Sequence, residues 1–137
     1  MQIEFTQPIY SFDIDSGQHV SNIVYSNWLE IGRLRLLEAA GMPIHRIKEQ
    51  GFFPVLTKTE ISYKRPLFLG DEARIVLWIS ELKRISATMM FRFFNQNNDL
   101  VAEATQYALF VNASDQRPYK LPPEDRARFE PYVIEGN

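Results

Sequence analysis

The segment from Asp13 to Asn22 holds the side chains best suited to chemistry in this chain. Two carboxylates (Asp13 and Asp15), an imidazole (His19) and an amide (Asn22) lie close together in the sequence. An apolar run that favours a helix follows at once, so the free N–H groups of its first turn would lie beside them. A carboxylate can act as a base or a nucleophile, and helix N–H groups can bind an oxygen that gains negative charge. The segment therefore predicts chemistry on a carbonyl group.

The residues alone leave the role of each side chain open. Asp13 and Asp15 would point to opposite sides of an extended segment, so only one of them is expected to face the helix. Either could simply shape the loop, and His19 could be a loop histidine bonded to the backbone. Asn22 could cap the helix, whereas its backbone N–H is useful whatever its side chain does.

Composition excludes several classes of protein. The 137 residues are enough for one domain with a hydrophobic core, and we predict a single domain over residues 1–137. A formal net charge of −2 gives no electrostatic basis for binding nucleic acid or a membrane surface. There is no cysteine, and the two histidines, His19 and His45, lack the spacing of a metal site. We therefore predict no metal and no cofactor.

The sequence also bears on localisation. The N-terminal residues lack the basic and apolar regions of a signal peptide. No apolar run approaches the roughly 20 residues that a membrane-spanning helix requires. We expect a cytoplasmic protein that does not contact a membrane.

A strand and a long helix are predicted first. Residues 3–12 are rich in Ile, Phe and Tyr, and Pro8 places this strand near a sheet edge. From Asn22 to Ala40 there is no proline, which predicts a helix that ends at Gly41. Its wide apolar face should be covered on several sides. Gly32 costs about 1 kcal/mol relative to alanine in a helix, so it indicates the close approach of another backbone.

Four more strands are expected after Gly51. They are predicted at residues 52–63, 73–80, 85–95 and 100–111 from β-branched and aromatic residues and from period-two alternation. Short connections such as Asn95–Asp99 imply antiparallel pairing. The class is therefore α+β, with a sheet that curls around the helix so that each buries the other. Prolines in the tail allow at most a short helix near residues 123–129.

The loop and helix resemble those of the hotdog-fold thioesterases of the 4-hydroxybenzoyl-CoA thioesterase type. The matching pattern is Asp13-x-Asp15-x-x-Gln18-His19-Val20-x-Asn22-x-x-Tyr25-x-x-Trp28, and its Gln-His-Val form is similar to that of plant acyl-ACP thioesterases. Later matches are Tyr63-x-x-Pro66-x-x-x-Gly70-Asp71, Arg117-Pro118 and Leu121-Pro122. The resemblance covers nearly the whole chain. It implies a five-stranded antiparallel sheet wrapped around one long central helix, and homodimers, often paired into tetramers, with active sites between subunits.

The resemblance also implies roles for individual residues. Asp15 would be the catalytic carboxylate, and the backbone N–H of Asn22 would bind the thioester oxygen. His19 matches a histidine that some members use. Lys83 and Arg84 occupy the stretch where some members contact the phosphates of CoA.

Three positions depart from the family pattern. Gly17 stands where plant members carry a functional asparagine, and Gln18 stands where many bacterial members carry glycine. Ser21 replaces the first of two common asparagines. These departures bear on the role of His19 more than on that of Asp15, and they argue against a plant-like substrate.

We therefore predict hydrolysis of an acyl thioester, of CoA or of an acyl carrier protein, with Asp15 as nucleophile or general base. The acyl chain is expected in an aromatic pocket, with substrate contacts from Tyr25, Trp28 and Phe53. Two other classes stay open. One is a non-catalytic acyl-CoA-binding or assembly protein on the same fold. The other is a hotdog dehydratase, which would use a histidine and a carboxylate from facing subunits.

Overall fold

The computed structural model describes residues 1–135. Within them the elements follow the order β1 (Ile3–Pro8), α1 (Asn22–Ala39), β2 (Phe52–Tyr63), β3 (Glu72–Leu82), β4 (Ser86–Phe94), β5 (Leu100–Asn112) and α2 (Pro123–Phe129). Short 3₁₀ segments lie at Ser11–Asp13, Ile44–Gln50 and Glu130–Tyr132. Over this range, no helix combines the length and the apolar character needed to cross a membrane.

The five strands form one antiparallel sheet in the order β1-β3-β4-β5-β2. Alternate residues of β3, such as Ile75 and Leu77, are fully buried, as are Phe91 and Phe93 of β4. These side chains pack beneath α1, which buries Trp28 and its neighbours against them. The predicted α+β hotdog arrangement, a five-stranded antiparallel sheet around one long helix, is confirmed.

Gly32 lies where α1 approaches the sheet closely. A Cβ atom at this position would lie 2.9 Å from Cε2 of Phe91 and 3.5 Å from the side chain of Leu77. Both side chains are fully buried and cannot move away. The expectation of an approaching backbone is therefore wrong, because an aromatic side chain of β4 occupies the space.

The first strand is shorter than predicted. β1 ends at Pro8, and a 3₁₀ turn at Ser11–Asp13 follows it. The buried carboxylate of Asp13 causes this change, since it accepts the backbone N–H of Tyr10 at 2.8 Å and draws the chain into a turn. The turn delivers the next residues to the N-terminus of α1.

Candidate active site

The residues between β1 and α1 form a tight reverse turn. The N–H of Gln18 donates to the carbonyl of Asp15 at 3.0 Å, and the N–H of Asp15 donates to the carbonyl of His19 at 3.1 Å. Gln18 has φ of 71°, a left-handed conformation that glycine adopts most easily. This geometry is that of a three-residue hairpin loop closed by a residue in the left-handed region.

Asp15 and His19 converge above Gly17 in this turn. The N–H of Gly17 donates to Oδ1 of Asp15 at 2.8 Å. A Cβ atom on Gly17 would lie 3.1 Å from that oxygen and 3.3 Å from Nε2 of His19. Because both atoms lie so close to one point, the carboxylate and the imidazole are near neighbours. Asp15 is exposed whereas Asp13 is buried, so the two carboxylates face opposite environments, as expected.

The first turn of α1 leaves the backbone N–H of its first residue without a partner in the helix. Ser21 is the N-cap: its hydroxyl accepts the N–H of Ile23 at 3.2 Å, and its carbonyl accepts the N–H of Val24 at 3.0 Å. Asn22 is the first helical residue, so its own N–H has no carbonyl to bind within the helix. The side chain of Asn22 is therefore not the cap, and its backbone N–H is available to a ligand.

A cavity of about 270 Å³ adjoins this turn. His19, Asn22 and Tyr25 line one side of it, and the segment Tyr63–Leu67 lines the other. The two sides are held together by the N–H of Val20, which donates to the carbonyl of Leu67 at 2.8 Å. The structure thus brings three of the predicted site residues to one cavity, with Asp15 beside them.

Tyr25 is 2% exposed and forms edge-to-face contacts with three aromatic rings. Its ring lies 5.1 Å from that of Tyr63, across the groove between α1 and β2. Burial raises the pKa of Tyr25 well above its ordinary value, and the nearby Tyr63 adds to the increase. The phenol is therefore a neutral hydrogen-bond donor at physiological pH.

Tyr25→Phe should flatten the alkaline part of the stability profile. An unfolded tyrosine ionises near pH 10, whereas folded Tyr25 keeps its proton to higher pH. The unfolded state therefore releases a proton first, and this residue lowers the free energy of unfolding by up to about 1.4 kcal/mol per pH unit above roughly pH 10. Urea denaturation from pH 8 to 11 measures the effect. Parallel profiles for the two proteins would contradict it.

Two predicted substrate contacts lie away from this cavity within the single chain. Trp28 is 2% exposed and packs against Tyr25 and Phe93, so it belongs to the core. Phe53 lies at the opposite end of β2 from Tyr63, about 33 Å along an extended strand. Contacts of Trp28 and Phe53 with substrate stay predictions.

Lys83 and Arg84 border a separate cavity of about 590 Å³. Two further cations from the C-terminal segment, Lys120 and Arg126, line the same cavity. Arg126 is fixed there because its guanidinium donates to the carbonyl of Leu82 at 2.8 Å. From the sequence alone, Lys120 could be a solvated residue of the tail or an anion contact. The N–H of the next residue donates to the carbonyl of Arg84, which brings the tail to this turn.

The fold is that of the hotdog class. The sequence matches the model of the thioesterase-like superfamily over residues 12–129, and the chain belongs to this superfamily. A protein of Bacillus subtilis (strain 168) that is provisionally named an acyl-CoA thioesterase is 26% identical over 97 residues, which cover 71% of this chain and 70% of that protein.

Solved structures agree in fold. DHNA-CoA thioesterase from Staphylococcus aureus has a TM-score of 0.85 at 16% identity, covering 98% of this chain and 97% of that one. A thioesterase from Thermus thermophilus, complexed with coenzyme A and Zn, has a TM-score of 0.79 at 25% identity, covering 94% and 92%. The predicted class, a thioester hydrolase on the hotdog fold, is confirmed.

Proposed function

We propose that the protein hydrolyses an acyl thioester of coenzyme A in the cavity beside Asp15. The observation that carries the proposal is the exposed carboxylate of Asp15, placed beside His19 in the turn that leads to the free N–H of Asn22. This arrangement supplies a base or nucleophile in the turn and an oxyanion donor at the cavity that adjoins the turn. Together these groups can suffice to cleave a thioester, because a thiolate is a good leaving group.

The proposed reaction begins when the thioester carbonyl oxygen accepts the N–H of Asn22. Asp15 then attacks the carbonyl carbon or removes a proton from an attacking water. The oxygen gains negative charge in the tetrahedral intermediate, where the N–H and the positive end of the α1 dipole stabilise it. The C–S bond breaks and CoA leaves as a thiolate. If Asp15 attacks, water then hydrolyses the acyl-enzyme anhydride.

His19 positions the reacting groups in this scheme. Its Nε2 lies on the same side of Gly17 as Oδ1 of Asp15. An imidazole there can hold the carboxylate or the water by a hydrogen bond. The neutral hydroxyl of Tyr25, on the wall of the same cavity, can donate to the substrate.

The cluster of Lys83, Arg84, Lys120 and Arg126 is the proposed site for the phosphates of CoA. Its cavity shares no lining residue with the Asp15 cavity. We therefore propose that the two cavities are combined by a homodimer, which could pair again into a tetramer. β2 supports this arrangement, because it is a sheet edge whose central residues are exposed and free to join a second copy.

A hydrolysis screen tests the proposal. Purified protein is mixed with acyl-CoAs of varied length and aromaticity, and the free thiol released is measured against time. We expect turnover of at least one class of acyl-CoA. Absence of turnover with retained CoA affinity would instead favour a non-catalytic acyl-CoA-binding protein. If the protein instead hydrates an enoyl-CoA, and His19→Ala abolishes that activity, the result would favour a dehydratase.

A further inference from the structure

A third cavity, lined mostly by apolar side chains, lies between α1 and the sheet and has a volume of about 330 Å³. Its walls include Leu37 of α1, Leu56 of β2 and Phe110 of β5. The space exists because inward-facing positions of β4 and β5 carry the small residues Ala87 and Ala108. A cavity of this size and lining fits the hydrocarbon part of an acyl group.

Two charged residues, Glu30 and Arg33, interrupt the apolar lining, and a buried amide contacts the second of them. Gln106 is 2% exposed and lies between Ala104 and Ala108 on the inward face of β5. Its Nε2 donates to the hydroxyl of Thr59 at 3.1 Å, and its Oε1 accepts from Nη1 of Arg33 at 2.9 Å. The buried amide thus holds the Arg33 guanidinium at the cavity.

Arg33 lacks the usual partner of a half-buried cation. Such a charge is normally paired with a carboxylate, since burial without a partner is costly. No carboxylate within residues 1–135 forms an ion pair with Arg33. Burial lowers its pKa, and Glu30, exposed one turn earlier at the same cavity, only partly offsets this. Gln106 takes one of the five N–H donors of the guanidinium, which leaves donors for a ligand.

The cavity at Arg33 lies further along α1 and β2 than the cavity lined by His19, Asn22 and Tyr25. These elements run in opposite directions, because Tyr25 meets Tyr63 at one end while Arg33 is linked through Gln106 to Thr59 further along. Arg33 lies about 16 Å from Asn22 along the helix axis. An acyl chain whose carbonyl binds the N–H of Asn22 would therefore carry its distal end toward Arg33.

We propose that Arg33 selects acyl groups that carry a carboxylate at their distal end. This inference rests on the proposed thioester hydrolysis and names its substrate class. The distal carboxylate would supply the counter-ion that the chain itself does not give to Arg33, through charge-assisted hydrogen bonds. A methyl-ended chain of the same length would shield the guanidinium from water without giving it a counter-ion. The site is therefore expected to discriminate against methyl-ended chains.

The test compares pairs of acyl-CoAs of equal length, medium to long, that end in a carboxylate or in a methyl group. The readout is the ratio of kcat/KM for the two members of a pair. We expect the wild type to favour the carboxylate at least about tenfold, and Arg33→Met to lower the ratio at least tenfold. Arg33→Lys should keep part of the preference that Arg33→Met loses. Glu30→Gln should raise the ratio above that of the wild type, because it removes a charge at the cavity that repels the distal carboxylate.

Several outcomes would overturn the inference. If both substrates are turned over and none of the three variants alters the ratio of kcat/KM, then Arg33 does not select the distal end of the acyl group. If Arg33→Met changes the oligomeric mass but leaves the ratio of kcat/KM unchanged, Arg33 belongs to a contact between subunits. Thermal melting identifies a variant that fails to fold, in which case Arg33→Lys and Glu30→Gln decide. A wild type inactive on both substrates rejects the proposed hydrolysis itself, and this inference with it.

Discussion

Asp15→Asn is expected to reduce kcat for thioester hydrolysis by about 10³-fold or more while the fold stays intact. The substitution removes the negative charge and the nucleophilic oxygen but keeps the shape of the side chain. Activity is measured as thiol release from the best acyl-CoA of the screen, and folding is measured by thermal melting. A variant that keeps its full rate would show that Asp15 is not the catalytic carboxylate.

The β4–β5 connection shows why the turn should tolerate asparagine at this position. There Asn95 makes the same bonds as Asp15: its side-chain oxygen accepts the N–H of Asn97 at 2.9 Å, and its carbonyl accepts the N–H of Asn98 at 3.0 Å. Asn98 has φ of 66°, close to the 71° of Gln18. An amide therefore forms this turn as well as a carboxylate does.

Asp13→Asn is the matched control for Asp15→Asn. It changes the same charge in the same loop, but on the buried side, where the carboxylate accepts the N–H of Tyr10. We expect altered stability and far less loss of activity than for Asp15→Asn. Equal losses for both variants would mean that net charge or loop geometry, rather than a catalytic carboxylate, explains the effect.

The elements could be predicted because their signals are local. Ser21 before the helix and Gly41 after it bound α1 at Asn22–Ala39, within a residue of the expected end. The strands follow from residue type and alternation, which tertiary packing did not override. The end of β1 was missed because Tyr10 and Phe12 favour a strand, whereas one hydrogen bond from the Tyr10 N–H to the carboxylate of Asp13 ends it.

Proximity in sequence also explains which part of the site could be predicted. Asp15 and His19 lie in one turn and Asn22 begins the helix that follows it, so their types and spacing alone indicate that they lie near one another. Arg33 and Gln106 are separated by 73 residues. Their contact depends on the register of β5 and on which face of α1 lies above it. No local pattern encodes that contact, or the packing that brings Lys120 and Arg126 to the same cavity as Lys83.

Asn22→Pro is expected to reduce kcat by about 10²- to 10³-fold, because it deletes the backbone N–H that we propose as the oxyanion donor. The helix should survive, since proline is well tolerated at the first helical position, where no N–H is needed. The residue before a proline must be extended, and Ser21 already has φ of −66° and ψ of 145°. The N-cap bond from the Ile23 N–H to the Ser21 hydroxyl is retained.

Asn22→Ala separates the backbone from the side chain, because it removes the amide and keeps the N–H. We expect it to retain activity within a few-fold of the wild type. CoA affinity, measured by calorimetry, should be alike in both variants, since CoA carries no acyl oxygen for this N–H to bind. An alanine variant as impaired as the proline variant would point to the side-chain amide. A proline variant at full rate would require that another group bind the oxyanion.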